Sequence, residues 1–230
     1  MQRVVEPEML DELPAENPAA VRSRRDLRRL NRVMGHARAL CEMLAAGMGS
    51  RPVKRLVDLG AGDGQLALGL ARRLSKKWRG AEVILVDRQP AVSRDTLAAF
   101  EALGWRANAV CADVFDWLRD AGGELVDAMT ANLFLHHFPD AQLAELLKLA
   151  AARTRVFAAC EPRRGTLPLA LSRLVGLIGC NAVTRHDAVV SVKAGFAGNE
   201  ISALWPAAPD WELQERGRRF SHAFLAGRTS

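Results

Sequence analysis

Apolar and polar positions along residues 51–230 fall into blocks that predict alternating strands and helices. Short apolar runs bounded by glycine or charge have the length of buried strands, and segments with apolar residues three and four apart have the period of amphipathic helices. The predicted helices are Gln65–Leu74 and residues 95–103, 141–152 and 200–204. The first predicted strand begins at residue 56, and the other six cover residues 82–86, 105–111, 125–135, 156–160, 211–216 and 220–226.

The first 50 residues have a different pattern and are predicted to be a separate helical segment. Apolar residues recur three and four positions apart from Val21 to Leu44, which predicts one amphipathic helix with arginines on its other sides. Arg51-Pro52 marks the junction with a single domain at residues 51–230.

The regular alternation breaks at residues 165–198, which we interpret as an insertion. Residues 167–180 are apolar nearly all round, which predicts a helix packed against apolar groups on more than one side, and the substrate is one candidate for such a group. The stretch is too short for a membrane span and carries Arg173, so no transmembrane segment is expected.

Composition narrows the class of protein. A chain of 230 residues with 49% hydrophobic residues can bury one large core. The four cysteines form no Cys-x-x-Cys pair, so neither a metal site nor a disulfide framework is expected. The first residues lack the pattern of a signal peptide, and a cytoplasmic location is the default expectation.

The net charge of +6 raises the question of nucleic-acid binding. Residues 6–16 are acidic, and seven arginines follow between Arg22 and Arg38. We interpret these arginines as a solvated helix face, because no aromatic residues lie between them to stack on bases. RNA or acidic-lipid binding is kept as the alternative.

Residues 56–64 read Leu-Val-Asp-Leu-Gly-Ala-Gly-Asp-Gly and predict a strand, a tight turn and the start of a helix. The glycines at 60, 62 and 64 lack the spacing of a dinucleotide fingerprint, which disfavours NAD. Asp58 lies at the carboxyl end of the strand, where it could face the cationic amino group of a ligand.

This motif resembles that of class I S-adenosylmethionine-dependent methyltransferases. The resemblance implies a Rossmann-like α/β fold: a seven-stranded, mostly parallel sheet with an antiparallel last strand, helices on both faces and an N-terminal helical lid. It also implies S-adenosyl-L-methionine as the cofactor, with Asp87 at the ribose and Asp113 at the adenine. The cofactor site then comprises Asp58, Gly60, Gly62, Gly64, Asp87, Arg88, Asp113, Val114 and Asn132.

Residues 26–35 are similar to the leader of bacterial methyltransferases that act on small aromatic or polyketide-derived molecules, and the Leu-His-His-Phe run from Leu135 also occurs in enzymes that methylate quinone precursors. The resemblance implies that the leader covers the cofactor and that the insertion covers the acceptor pocket. We therefore expect methylation of a small, fairly apolar phenolic, enolic or polyketide-like acceptor, at oxygen or at carbon.

Histidines are the candidate catalytic residues, because a hydroxyl acceptor must lose its proton and imidazole titrates near neutral pH. His136 and His137 follow the fourth predicted strand, and His186 lies in the insertion. Packing in the pocket wall is the alternative role for each. Asn132 could orient the acceptor, but Asn-Leu-Phe-Leu departs from the Asn-Pro-Pro-aromatic motif of enzymes that methylate DNA adenine or protein glutamine.

Two other functions remain open from the sequence. The arginine helix would serve an RNA methyltransferase, and a non-catalytic partner protein could bind the cofactor without turnover. The sequence does not fix the acceptor or the oligomeric state.

Overall fold

The computed structural model describes residues 1–120 and 125–229. The described residues form one seven-stranded sheet in the order β3-β2-β1-β4-β5-β7-β6. The strands are β1 (Arg55–Leu59), β2 (Glu82–Asp87), β3 (Arg106–Cys111), β4 (Val126–Asn132), β5 (Thr154–Pro162), β6 (Trp211–Gly217) and β7 (Ser221–Arg228).

Strands β1 to β5 pair in parallel, and β7 runs antiparallel to both β5 and β6. The predicted Rossmann-like fold with an antiparallel last strand is therefore confirmed. The chain leaves β1 towards β2 on one side and returns to β4 on the other. Ligands of open α/β sheets bind at such a reversal of strand order, outside the carboxyl ends of the strands.

Ten helices surround the described part of the sheet, and two short 3₁₀ helices lie at Leu135–His137 and Val175–Ile178. The α-helices are α1 (Met9–Glu12), α2 (Pro18–Met34), α3 (His36–Met48), α4 (Gln65–Leu74), α5 (Arg94–Glu101), α6 (Val114–Asp120), α7 (Asp140–Arg153), α8 (Thr166–Ser172), α9 (Ala182–Ala194) and α10 (Glu200–Leu204).

Side chains that alternate along the strands build two cores. Leu56 packs with α3, α4 and α5 on one face of the sheet, whereas Val57 packs with α6, α7 and α10 on the other. Because both faces are covered, the central strands β1, β4 and β5 are buried along most of their length, whereas the edge strands β3 and β6 carry exposed polar residues. The carboxyl edge of the sheet is the place left for the polar side chains of the central strands.

The N-terminal segment is not the single helix that the periodicity predicts. Gly35 adopts a left-handed conformation (φ 71°) and ends α2, with its N–H directed to the carbonyls of Asn31 and Arg32. Glycine adopts this conformation without the steric cost of a Cβ, so the apolar stripe continues past the break although the helix does not.

The prediction of one buried helix over residues 167–180 is also wrong. The segment forms α8 and the 3₁₀ helix Val175–Ile178 instead, and Gly179 ends the latter in a left-handed conformation. Its apolar side chains are largely exposed, with Leu167 at 62% and Leu177 at 82% of their maximal exposure. Within the described ranges, no helix combines the length and apolar character needed to span a membrane.

His36 is a fully buried polar residue at the start of α3. Neither ring nitrogen has a hydrogen-bond partner among the described residues. Burial disfavours the charged ring and lowers the pKa of His36 to about 4, although the neighbouring Asn132 side chain opposes this shift.

We expect His36 to make the fold sensitive to acid. Its folded pKa of about 4 lies below its usual value near 6.5, so the unfolded chain binds more protons between these values and stability falls as the pH falls through this window. Between pH 7 and pH 5, the unaltered chain should lose about 2 kcal/mol more unfolding free energy than His36→Leu. Urea denaturation at both pH values measures this difference, and identical losses would contradict it.

Candidate active site

A cavity of about 630 Å³ lies at the carboxyl ends of β1, β2 and β4. The loops after these strands form its floor, and residues 7–12 together with α2 form its roof. The cavity is thus located at the strand-order reversal, and its size is typical of sites that bind small molecules.

The glycine loop after β1 forms one wall of the cavity. Gly60 and Gly62 line it in left-handed conformations, with φ of 67° and 55°. A Cβ at Gly60 would lie 2.2 Å from a ring carbon of Phe134, whereas the same position at Gly62 faces open space. Gly64 does not line the cavity and instead begins α4. The loop therefore brings bare backbone to the ligand space at Gly62.

Asp58 is a buried carboxylate at the end of β1, on the cavity wall. Burial raises its pKa to about 7, although the Thr130 hydroxyl donates a 2.7 Å hydrogen bond to its Oδ1. A single hydrogen bond does not replace the water that the carboxylate has lost, so a cation in the cavity would stabilise the ionised form.

Asp87, at the end of β2, supports the glycine loop. Its two carboxylate oxygens accept the backbone N–H groups of Gly62 and Gln89, each at 2.8 Å. Arg88 also lines the cavity, where its guanidinium donates to the Asp11 carbonyl at 3.2 Å. Asp87 and Arg88, which the sequence predicts to bind the cofactor, thus both line the cavity. Each also contacts another segment that lines the cavity, Asp87 the glycine loop and Arg88 the N-terminal segment.

Asp113 and Val114 follow β3 at the cavity rim. Asp113 is exposed and its Oδ1 accepts the Phe115 N–H at 2.8 Å, which caps the first turn of α6. Asp113 therefore caps α6 and also lies at the cavity, where the sequence predicts that it contacts a ligand.

Asn132 and Leu133 line the cavity at the end of β4. The buried Oδ1 of Asn132 has no hydrogen-bond partner among the described residues. Leu133 has a φ of 51°, a strained conformation for a residue with a Cβ. Such strain and unsatisfied polar atoms are typical of functional sites.

His136 lies between two carboxylates. Its Nδ1 is 2.8 Å from Glu161 Oε2, and its Nε2 is 3.0 Å from Glu8 Oε1. Burial would lower the pKa of His136, but these contacts outweigh it and raise the pKa to about 9. The ring is 2% exposed, so it is not free to accept a substrate proton.

The two carboxylates hold this histidine from opposite sides. Glu161 lies in β5 and also accepts the backbone N–H groups of Phe134 and Leu135. Burial would raise the pKa of Glu161 and of Glu8, but hydrogen bonds from His136 outweigh it and keep both values below the usual range. The network therefore joins the N-terminal segment to the sheet.

His137 faces the cavity more openly, with 20% of its side chain exposed. Its Nδ1 lies 2.9 Å from the Phe134 carbonyl, and its Nε2 lies 3.4 Å from Glu8 Oε2 and 3.5 Å from Asp11 Oδ2. His186 does not line the described cavity. It is half exposed, and its Nδ1 lies 3.0 Å from Asp187 Oδ1.

Two arginines of α2 also reach the cavity. Arg28 binds Asp63 of the glycine loop at 2.7 Å, and Arg24 donates to the side chain of Gln89 at 2.8 Å. These side chains contact the domain instead of forming part of the solvated face that the sequence predicts.

Glu8, Asp11 and Glu161 line or support the cavity without having been predicted as site residues. The acidic run at residues 6–16 and the Glu161-Pro162 strand end are visible in the sequence, but neither reveals its partner. Their contacts with His136 and His137 span 25 residues or more along the chain, and tertiary structure alone brings them together.

The strand order, the glycine loop and the carboxylates at the strand ends are those of a Rossmann-like domain. Residues 56–155 match the family model described as "Methyltransferase domain". The match covers less than half of the chain: it spans β1 to β4 and ends at the start of β5, and it agrees with the class that the motifs predicted.

Solved structures share the fold over nearly the whole chain. The plantazolicin methyltransferase BpumL in complex with SAH superposes with a TM-score of 0.68 at 13% identity, covering 93% of this chain and 91% of that one. An O-methyltransferase family protein from Burkholderia thailandensis gives 0.62 at 17% identity, with coverage of 94% and 62%. Magnesium protoporphyrin IX methyltransferase from Synechocystis PCC 6803 gives 0.54 at 16% identity, with coverage of 85% and 83%. No curated protein sequence matches the chain.

The contact between Gly60 and Phe134 should be a point of high sensitivity to mutation. Gly80 is a matched control, because it has the same φ of 67° but open space around its would-be Cβ. We expect Gly80→Ala to cost about 1–2 kcal/mol through backbone strain. Gly60→Ala should cost about 1–3 kcal/mol more, because it also displaces the ring. Urea denaturation measures both losses of unfolding free energy. Equal losses would show that the Phe134 ring moves aside without a measurable cost.

Proposed function

We propose that the chain is an S-adenosylmethionine-dependent methyltransferase that acts on a small, fairly apolar acceptor, such as a phenol, an enol or a polyketide-like molecule. One observation carries the proposal. One cavity combines a glycine loop and acidic strand ends with the aromatic and histidine side chains that follow β4. Such a cavity has room to align two reactants, which is the main requirement of a direct displacement.

The residues present fit the cofactor. Asp58 is a desolvated carboxylate suited to the ammonium group of the methionine part, and the open backbone at Gly62 allows close approach. Asp87 would accept from the ribose hydroxyls and Asp113 from the adenine amino group. When bound, S-adenosylmethionine supplies a methyl group on a sulfonium: the acceptor's electron pair would form the new bond to the methyl carbon, and the sulfur would leave as a neutral thioether.

The acceptor would lie against the aromatic and histidine side chains that follow β4. Phe134 and Phe138 line the cavity with their rings packed edge to face, 5.1 Å apart. Leu10 and Leu27 add apolar surface from the roof. Because His137 is the more exposed of the two neighbouring histidines, we assign it the contact with the acceptor. Methylation of small molecules is also what the names of the plantazolicin and protoporphyrin methyltransferases describe.

The charge of the cavity argues against an RNA acceptor. Seven Asp or Glu side chains line the cavity, against three arginines. All three of these arginines, Arg24, Arg28 and Arg88, are already bonded within the chain. A polyanion would meet repulsion here, and so we favour a small molecule. A non-catalytic partner protein would bind the cofactor without turnover.

Calorimetric titration with S-adenosylmethionine tests the proposal, alongside Asp87→Ala and the matched control Asp95→Ala on α5. We expect Asp87→Ala to weaken binding at least tenfold, because it removes both the proposed ribose contact and the support of the Gly62 N–H, while the control binds normally. Mass spectrometry of phenol and polyketide-like acceptors then tests turnover. No binding to the unaltered chain refutes the proposed function, and binding without methylation of any acceptor favours the non-catalytic alternative.

Cofactor binding should depend on pH through Asp58. Because the folded pKa of Asp58 is about 7, its carboxyl group is mostly protonated at lower pH and must lose that proton before it can pair with an ammonium group. Affinity should therefore fall about tenfold from pH 7.0 to pH 5.5. Below pH 7 the ligand's own amino group stays protonated. Asp58→Asn should bind more weakly at pH 7.0 and vary little with pH. Equal affinity of the unaltered chain at both pH values would contradict this role.

A further inference from the structure

We propose that Glu8, His136 and His137 form a binding site for a divalent transition metal ion at the acceptor side of the cavity. The three side chains come from the N-terminal segment and from the 3₁₀ helix after β4. They each offer one ligand atom, and these atoms lie within 4.8 Å of one another. Asp11 lies beside them and offers a further oxygen.

The distances around His137 suit coordination better than hydrogen bonding. His137 Nε2 lies 3.4 Å from Glu8 Oε2 and 3.5 Å from Asp11 Oδ2, beyond the usual 2.7–2.9 Å of a charge-assisted N–H···O bond. Two ligand atoms about 2.0–2.2 Å from one metal ion, and about 90–110° apart, lie about 3.0–3.5 Å from each other. The 3.0 Å contact of His136 Nε2 with Glu8 Oε1 falls in the same range.

The contacts of Nδ1 in His136 and His137 determine that Nε2 is the ring nitrogen that would face the metal. The Phe134 carbonyl can only accept, so His137 Nδ1 carries a hydrogen and the Nε2 of a neutral ring presents a lone pair to the carboxylates. His136 Nδ1 contacts the Glu161 carboxylate in the same manner. A metal-binding histidine usually donates its other N–H to a carboxylate or a backbone carbonyl, and both arrangements occur here.

Charge also favours a cation at this position. Glu8, Asp11 and Glu161 place three carboxylates around two imidazole rings. Glu8 and Glu161 are buried on either side of His136, and a metal ion bound to Glu8 and the two rings would compensate their negative charge in place of the proton on His136 Nε2. Two imidazole nitrogens and one carboxylate form the ligand set of a facial triad, which suits Zn²⁺ or Fe²⁺ better than Mg²⁺.

The site would extend the proposed function, on which this role depends. His137 and Glu8 line the cavity, so the metal ion would have an open position towards the acceptor. There it would bind an acceptor oxygen and favour loss of the oxygen's proton to solvent. This would favour methylation at oxygen over methylation at carbon.

The test is calorimetric titration of the purified, chelator-treated full chain with Zn²⁺, Co²⁺ and Mg²⁺, each alone. We expect one equivalent of Zn²⁺ or Co²⁺ to bind the unaltered chain more tightly than Mg²⁺. His137→Gln and Glu8→Gln should each weaken binding at least 100-fold. His186→Gln is the matched control, because it alters another histidine next to a carboxylate but outside the cluster, and it should bind as the unaltered chain does.

Absence of Zn²⁺ and Co²⁺ binding, equal binding by the cluster variants, or preference for Mg²⁺ would overturn the proposed metal site. If a variant does not fold, the visible absorption spectrum of Co²⁺ bound to the unaltered chain decides. Bands of a nitrogen- and oxygen-ligated ion support the site, and the spectrum of aqueous Co²⁺ overturns it. Titration with S-adenosylmethionine with and without Zn²⁺ separates the proposals: cofactor binding without metal binding refutes only the metal site, and metal binding without cofactor binding refutes only the proposed function.

Discussion

The cost of burying charge is the constraint on which this structure depends. Helices cover both faces of the sheet, so a carboxylate within a strand must find its partners among protein groups. Glu161 has backbone N–H groups and His136 as partners, which keeps its pKa low. Among the described residues, Asp58 has only Thr130 as a side-chain partner, and its pKa rises to about 7. Two buried carboxylates at the same edge of the sheet thus differ in their surroundings: Glu161 has several hydrogen-bond partners, whereas Asp58 has the single partner that motivates its proposed role toward a cationic group.

The same constraint explains how the N-terminal segment closes the cavity. Glu8 reaches His136 over the edge of the sheet, and Asp187 of α9 accepts the backbone N–H groups of Met9 and Leu10 at the start of α1. The guanidinium of Arg3 contacts the Phe138 carbonyl at 2.8 Å. These polar contacts, and not a large apolar interface, hold residues 1–12 over the ligand space. The roof is therefore an integral part of the cavity, and its carboxylates, Glu8 and Asp11, contact His136 and His137.

Much of the fold follows from local pattern. Helix α4 begins and ends at the predicted residues because Gly64 and the apolar period define both its start and its buried face. The central strands are recognisable because burial on both faces requires continuous apolar runs. The pattern fails where a glycine interrupts a continuing apolar stripe. At Gly35 the stripe persists across a helix break, and in residues 167–180 apolar side chains are exposed, so apolar character alone does not predict packing.

The sequence by itself determined the class of the domain and the carboxylates that meet at the cavity, because those residues lie at fixed positions relative to their own strands. Asp58, Asp87 and Asp113 each lie at or just after the end of a strand, and parallel strands bring their carboxyl ends to one edge. The surroundings of the two neighbouring histidines depended on tertiary structure. His136 and His137 were visible in the sequence, but Glu8, Glu161 and Asp11 join them from distant segments. Such contacts have no local pattern, because their spacing is set by how the elements pack and not by the period of any one helix or strand.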